Sequence, residues 1–258
     1  MKKALLFFSL LLLLVPRIHA QKTDNDNLGE ITFEELKDKD KSSQYFAVGG
    51  GFTGNFLMFD KTALNSNLPA SFHVKDFSSP LFITGGQGFI TFFFKNIRFG
   101  FSAAIGTQGV DTTETVGSRS IKRHVDFSSS MNGVTIDYAI PVVKGVTILP
   151  GVQAGFGNLV FERSDSPVSA NWTDIKNDTA LHSGRIEVSQ IYVQPTLNIE
   201  WAITTFTMIR ANVGYNMNFH SDTWTLNRNT TVSGAPSALK AAGPVFGFGV
   251  FFGLFRNE

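Results

Sequence analysis

From Tyr45 onward the chain alternates apolar and polar residues with a period of two, and the links between the alternating stretches are themselves alternately short and long. Successive side chains of a strand point to opposite faces, so this period marks ribbons with two unlike sides. The pattern is cleanest where Ile209, Ala211, Val213, Tyr215, Met217 and Phe219 interleave with Arg210, Asn212, Gly214, Asn216, Asn218 and His220. About eleven residues of this kind suffice to cross a bilayer as a tilted strand.

Seven further stretches follow the same rule. Phe46, Val48, Phe52, Phe56 and Met58 share one face of the first, and Leu81 to Phe94 forms a noisier second. The third sets Ile97, Phe99, Phe101 and Ile105 against Arg98, Gly100, Ser102 and Gly106. Val134, Ile136, Tyr138 and Ile140 mark the fourth, Val146, Ile148, Val152 and Phe156 the fifth, and Ile191, Val193, Leu197, Ile199 and Trp201 the sixth. In the eighth, Pro244, Phe246, Phe248, Val250, Phe252 and Leu254 oppose a face that is small and aromatic rather than polar. Tight links are expected at Lys95-Asn96, Pro141 to Gly145 and Ala202 to Thr205. Structureless loops of about twenty residues are expected at Asp60 to Ser79, Gln108 to Asp126, Glu162 to Gly184 and Ser221 to Ala242, because strict alternation of short turns and long loops is the habit of outer-membrane barrels.

The fold class read from this is all-β, an antiparallel up-and-down transmembrane β-barrel of about eight strands with short periplasmic turns and long extracellular loops. A sheet in lipid has to close on itself, since an unpaired backbone group there costs several kcal/mol. Eight strands leave an interior that side chains can fill, which argues against a diffusion porin. Alternation alone does not say which face is inside, so a soluble lipocalin-like barrel with its apolar rows inward is the rival architecture.

Lys2 and Lys3 ahead of an apolar run from Ala4 to Val15 read as a secretory signal over residues 1–20, cleaved near Ala20; twelve or so apolar residues are too few for a membrane helix, which takes about twenty. Removing it takes three of 22 basic residues and none of 21 acidic ones, leaving a formal charge of −2. A near-neutral chain has no nucleic-acid footprint. With no cysteine in the sequence, a thiolate metal site, a thiol nucleophile and a disulfide are all excluded. Residues 21–44 read as a polar periplasmic segment with a capping box at Thr32 to Glu35, either a flexible tail or a docking element for a partner. Residues 45–258 are the barrel.

Charges assign the faces. Arg98, Asp137, Glu200 and Arg210 each oppose the aliphatic row of their own strand, near the short turns. An Arg aimed at the bilayer midplane costs roughly 2–4 kcal/mol. Inward-facing, the four make a candidate charge network inside the periplasmic half. Tyr138 and Trp201 fall on apolar faces beside short turns, where an interfacial aromatic belt belongs.

In this organisation the stretch from Tyr45 to Phe255 resembles the small eight-stranded outer-membrane barrels that include the OmpA and OmpX transmembrane domains. The likeness lies in architecture and in no residue motif. Members of that superfamily commonly end in an aromatic residue, whereas Phe255 here is followed by Arg256-Asn257-Glu258.

Catalytic chemistry is thin. His220-Ser221-Asp222 and His182-Ser183 with Glu187 hold the residue types of a rim hydrolase without matching a motif. Gly49-Gly50-Gly51 and Gly85-Gly86 open no helix, so close packing explains them better than a phosphate cradle. Arg119, Lys122, Arg123 and His124 form a basic cluster able to touch lipopolysaccharide headgroups. The reading is therefore a non-enzymatic outer-membrane barrel with no cofactor or metal, in contact with outer-membrane lipid and lipopolysaccharide. Its four loops would serve adhesion, surface interaction or envelope integrity; the alternative is a subunit of an envelope assembly that docks a protein partner.

Overall fold

A computed structural model describes residues 45–91, 96–116, 119–169, 171–176, 182–220 and 222–257. The signal and the 21–44 segment lie outside the described residues, as do Phe92 to Phe94 and Lys95.

The strands are β1 (Tyr45–Leu57), β2 (Leu81–Thr91), β3 (Ile97–Val116), β4 (Arg119–Tyr138), β5 (Ile140–Val143), β6 (Val146–Pro167), β7 (His182–Ala202), β8 (Thr207–His220), β9 (Trp224–Leu226), β10 (Thr230–Val232) and β11 (Gly243–Asn257). Among the described residues, two short helices, α1 (Lys61–Asn67) and α2 (Trp172–Lys176), lie in the connections. Eight strands close a ring in the order β1, β2, β3, β4, β6, β7, β8, β11 and back to β1, every pair antiparallel. The seam runs from Tyr45↔Asn257 to Leu57↔Val245. β5 continues β4 past Ala139 and pairs with β6 through a register irregularity.

The aliphatic rows point out of the ring, which removes the soluble rival. Phe52, Phe156, Ile191, Val134 and Phe101 are all strongly exposed, and comparable residues cover the outer wall of every strand in the ring. An apolar belt of that extent is far beyond the few hundred Å² that soluble proteins expose, and it is stable against acyl chains.

Two expectations about the loops are corrected. Gln108 to Asp126 is no loop, because β3 and β4 stay paired from Ile97↔Tyr138 to Val116↔Arg119. Thr112, Thr113, Thr115, Val110 and Ile121 are β-branched and opposite charges face each other across the pair, so polar composition masked a strand. Glu162 to Gly184 likewise contributes to β6 and β7, paired as far as Asp165↔His182. β3, β4, β6 and β7 have 20, 20, 22 and 21 residues against 13, 11, 14 and 15 for β1, β2, β8 and β11. At about 3.3 Å per residue and a tilt near 40°, the long strands rise roughly 50 Å and the short ones roughly 30–40 Å. One half of the barrel thus stands as a wall above the other.

The other two connections fold inward. Asp60 caps α1 by accepting from the Ala63 N–H (2.9 Å), and Asn65 clamps Phe77 by donating to its carbonyl (3.0 Å) and accepting from its N–H (2.9 Å). Leu64, Leu68, Phe72 and Phe77 are thereby buried in the barrel mouth. Each such side chain contributes about 1.5–3 kcal/mol of burial, which holds an otherwise costly connection in place. From the opposite side, the Ala241 carbonyl accepts from Asn216 and Asn218 of β8, both at 2.9 Å, drawing Leu239, Ala241 and Trp224 into the same core.

Candidate functional site

Inward-facing side chains form three layers. At the inner end, Arg98 at the start of β3 faces Asp137 at the end of β4 across the sheet, and Glu200 of β7 faces Arg210 of β8. Adjacent strands place each pair; barrel curvature brings the two pairs together. Arg98 donates from Nη2 (2.8 Å) and Nε (3.1 Å) to Asp137 Oδ2, and from Nη1 to Glu200 Oε1 at 2.6 Å. Arg210 Nε donates to the same Glu200 oxygen at 2.7 Å. The Tyr45 hydroxyl donates to Glu200 Oε2 at 3.0 Å, and Asn198 donates to Asp137 Oδ1 at 3.3 Å. All four charged residues are at most 6% exposed.

Two guanidiniums sharing one carboxylate oxygen repel each other, and π faces offset part of that. The Arg98 guanidinium lies 4.3 Å from the Phe89 ring centre and that of Arg210 4.1 Å from Phe251. Arg210 also donates to Gln87 Oε1. Sequence reasoning does not single out Tyr45, Gln87, Phe89 or Phe251. Phe251 and Phe255 leave a trace, as bulky residues on the small face of the last strand. A Cβ on Gly49 would come within 3.1 Å of the Phe255 ring and one on Gly51 within 2.8 Å of the Phe251 ring. The glycine run therefore makes room for these rings.

Above the charges sits a polar chamber of about 60 Å³, bordered by Gln87, Ser102, Thr135, Gln153, Gln194 and Asn212. At about 15 Å³ per water this accommodates roughly four. The outer end is apolar, not polar as lumens of such barrels usually are. Phe127 stacks on Phe161 at 5.0 Å and meets Phe59 at 5.4 Å and Phe77 at 5.6 Å. Trp224 continues the stack against Phe161 at 6.2 Å.

Tyr138 and Trp201 point outward near the short turns and are about half exposed. The basic cluster is divided. Lys122 and His124 lie on the outer face of the wall, whereas Arg123 lies on the inner one, and the Arg119 side chain lies outside the described residues. Each of the three meets acid: His124 contacts Asp111 (2.8 Å) and Asp126 (3.1 Å), Lys122 is 3.6 Å from Asp111, and Arg123 is 2.7 Å from Glu114. Its hydrogen bond to Asp111 raises the His124 pKa above its ordinary value, and the same bond lowers that of Asp111. A free cationic patch for lipopolysaccharide is therefore not what these residues form. At the rim, Glu187 is held by Arg185 at 2.6 Å and His220 sits edge-on to Trp224 at 5.9 Å, while Ser221 and the His182 side chain lie outside the described residues.

A closed eight-stranded ring with a lipid-compatible wall defines the class: this is a small outer-membrane β-barrel protein. Among solved structures, a major outer membrane protein from Thermus thermophilus aligns over 81% of this chain and 100% of its own, with TM-score 0.44 and 8% identity. Ail, the attachment invasion locus protein of Yersinia pestis, in complex with the heparin analogue sucrose octasulfate, aligns over 83% and 99% with TM-score 0.36 and 13% identity. CarO of Acinetobacter baumannii aligns over 80% and 97% with TM-score 0.33 and 9% identity. No known family profile matches the chain. No curated protein matches it either.

Proposed function

We propose that the protein is a sealed, non-enzymatic barrel whose raised wall makes contacts outside the cell. The carrying observation is the side of β3 that faces away from β4. Pairing with β2 stops at Ile83↔Gly106, yet β3 continues to Val116. Among the described residues no strand covers positions 107–116 on that side. Such an edge offers a row of backbone donors and acceptors, and soluble proteins normally blunt one with unpaired charge or proline. Here Asp111 and Glu114 are already engaged by His124 and Arg123, and proline is absent. An extended segment of another protein can add to it as a further strand.

The charged inner layer and aromatic outer layer support the same reading, since neither leaves a through-channel for solute. The test replaces residues 111–124 by Asn-Gly, a two-residue hairpin turn that joins the paired Val110 and Val125. Folding is followed by heat-modifiable gel mobility, and adherence of bacteria to cultured cells or matrix by plate counts. The shortened barrel should fold and lose most adherence. Unchanged adherence overturns the proposal, as do discrete conductance steps from the intact protein in planar bilayers.

A further inference from the structure

The uncovered side of β3 ends at a groove. From Gly106 downward the next place in the sheet belongs to β2, so a strand added along positions 107–116 cannot continue down the barrel and has to turn off at the foot of that edge. Ser78 stands at the foot: its N–H donates to Gln108 Oε1 at 3.1 Å, and its hydroxyl accepts from Gln108 Nε2 at 2.6 Å. The same Ser78 lines an open groove of about 410 Å³ that runs between α1 and residues 73–78, with Lys61, Thr62, His73 and Asp76 among its walls. The groove is preformed, because the two hydrogen bonds between Asn65 and the Phe77 backbone fix α1 against the opposite wall.

The charges of the groove select the end of the chain that enters it. Asp76 is engaged by His73 Nε2 at 2.8 Å, and the neighbouring Asp60 accepts from the Ala63 N–H at 2.9 Å. Lys61 is exposed and has no partner among the described residues, so the groove offers an ammonium group that no carboxylate neutralises. Direction follows from the ladder. β3 rises from Ile97 at the inner end to Val116 at the crest, and antiparallel pairing is the more stable kind per residue, so an added strand descends and its C-terminal end arrives at Ser78. Resting on the proposed contact at the β3 edge, we infer that the partner is an extended peptide lying antiparallel to positions 109–116, whose last residue enters this groove and sets a carboxylate against Lys61. Backbone pairing along β3 supplies attachment without regard to sequence, and the groove supplies the choice of chain end.

The probe is a fluorescein-labelled decapeptide of alternating threonine and valine that ends in Gly-Glu, bound to the full chain refolded in zwitterionic detergent and followed by fluorescence anisotropy. Four forms are compared, with Glu or Gln as the last residue and with a free or amidated C-terminus. The forms that carry a carboxylate should bind about fivefold more tightly than the amidated Gln form, the factor that one exposed ion pair supplies. The free-acid Gln form and the amidated Glu form show which of the two carboxylates Lys61 meets. Lys61→Gln should remove the preference, Lys61→Arg should keep it, and Lys144→Gln, at the other end of the barrel, should leave it intact. The barrel shortened at residues 111–124 should bind none of the four. Equal binding of all four by the unaltered protein overturns the groove assignment, and loss of that binding on shortening the wall would leave the edge contact standing. A carboxylate preference that survives in folded Lys61→Gln overturns the assignment too, as does the absence of binding by every form; adherence lost with the shortened wall would then still support contact through the wall.

Discussion

Glu200 is the residue on which the inner layer depends, and its replacement gives the sharpest test of how that layer acts. It accepts from Arg98 at 2.6 Å, from Arg210 at 2.7 Å and from Tyr45 at 3.0 Å. Glu200→Gln preserves shape but leaves two buried guanidiniums facing one carboxylate, Asp137. Three charge-assisted bonds at about 1.5–3 kcal/mol each give roughly 4.5–9 kcal/mol as a ceiling. Removing one partner of a buried ion pair costs about 3–5 kcal/mol in practice, because relaxation and water recover part of the loss. The expected loss is therefore about 3–5 kcal/mol. Arg210→Met should cost a similar amount by leaving Glu200 with one cation. The double variant removes one charge of each sign and keeps the Arg98–Asp137 pair, so it should lose much less than the two single losses added together. Equilibrium urea unfolding in lipid vesicles, read by gel mobility, measures all three. Additive losses would refute a coupled network and leave four charges acting separately.

The remaining expectations address other parts of the barrel. Gly51→Val should abolish the heat-modifiable form, because a Cβ there would run into the Val250 carbonyl and come within 2.6 Å of Phe251 Cα; Gly50→Ala, whose Cβ would find its nearest neighbour at 3.6 Å, should fold normally. His124 should titrate above its ordinary value of 6.5 in an NMR pH series. Since its folded value is raised, its contribution to hairpin order is complete below 6.5 and lost as pH rises through the folded value. Asp111, lowered from 3.8, supports the hairpin above 3.8 and fails as pH falls through its own folded value. Amide exchange in β3 and β4 should follow the upper transition, and His124→Gln should erase it. In a variant with Trp172 and Trp224 changed to Phe, Trp201 should be quenched most by lipids brominated near the headgroup; strongest quenching by deep bromines would contradict an interfacial position.

Much of the ring is legible in the sequence because lipid and interior impose opposite demands on alternate residues. Val213 and Asn212 show this at one step of β8. Arg98, Asp137, Glu200 and Arg210 are legible for the same reason, as charges that the outer face cannot carry. Their partners are not, because Tyr45 of β1 meets Glu200 of β7 across the barrel, and Phe89 meets Arg98 diagonally from the neighbouring strand, where β2 has its least regular alternation. The wall is hidden because, past Thr107, the outer face of β3 and β4 turns polar while the apolar residues that remain, Val110, Val125 and Phe127, sit on the inner face, so the pattern that marks the lipid-facing strands is lost. Phe72, Phe77 and Trp224 look like scattered loop residues, since nothing local shows that connections from opposite sides of the mouth meet.

The unequal strand lengths make the outward end of the molecule lopsided. A large object descending onto the cell reaches the crest of β3, β4, β6 and β7 first and is kept off the lower rim beside β1, β2 and β11. Neighbouring barrels that rotate freely in the plane of the membrane would present that crest in every compass direction, so a single tethered segment can be met whichever way it trails.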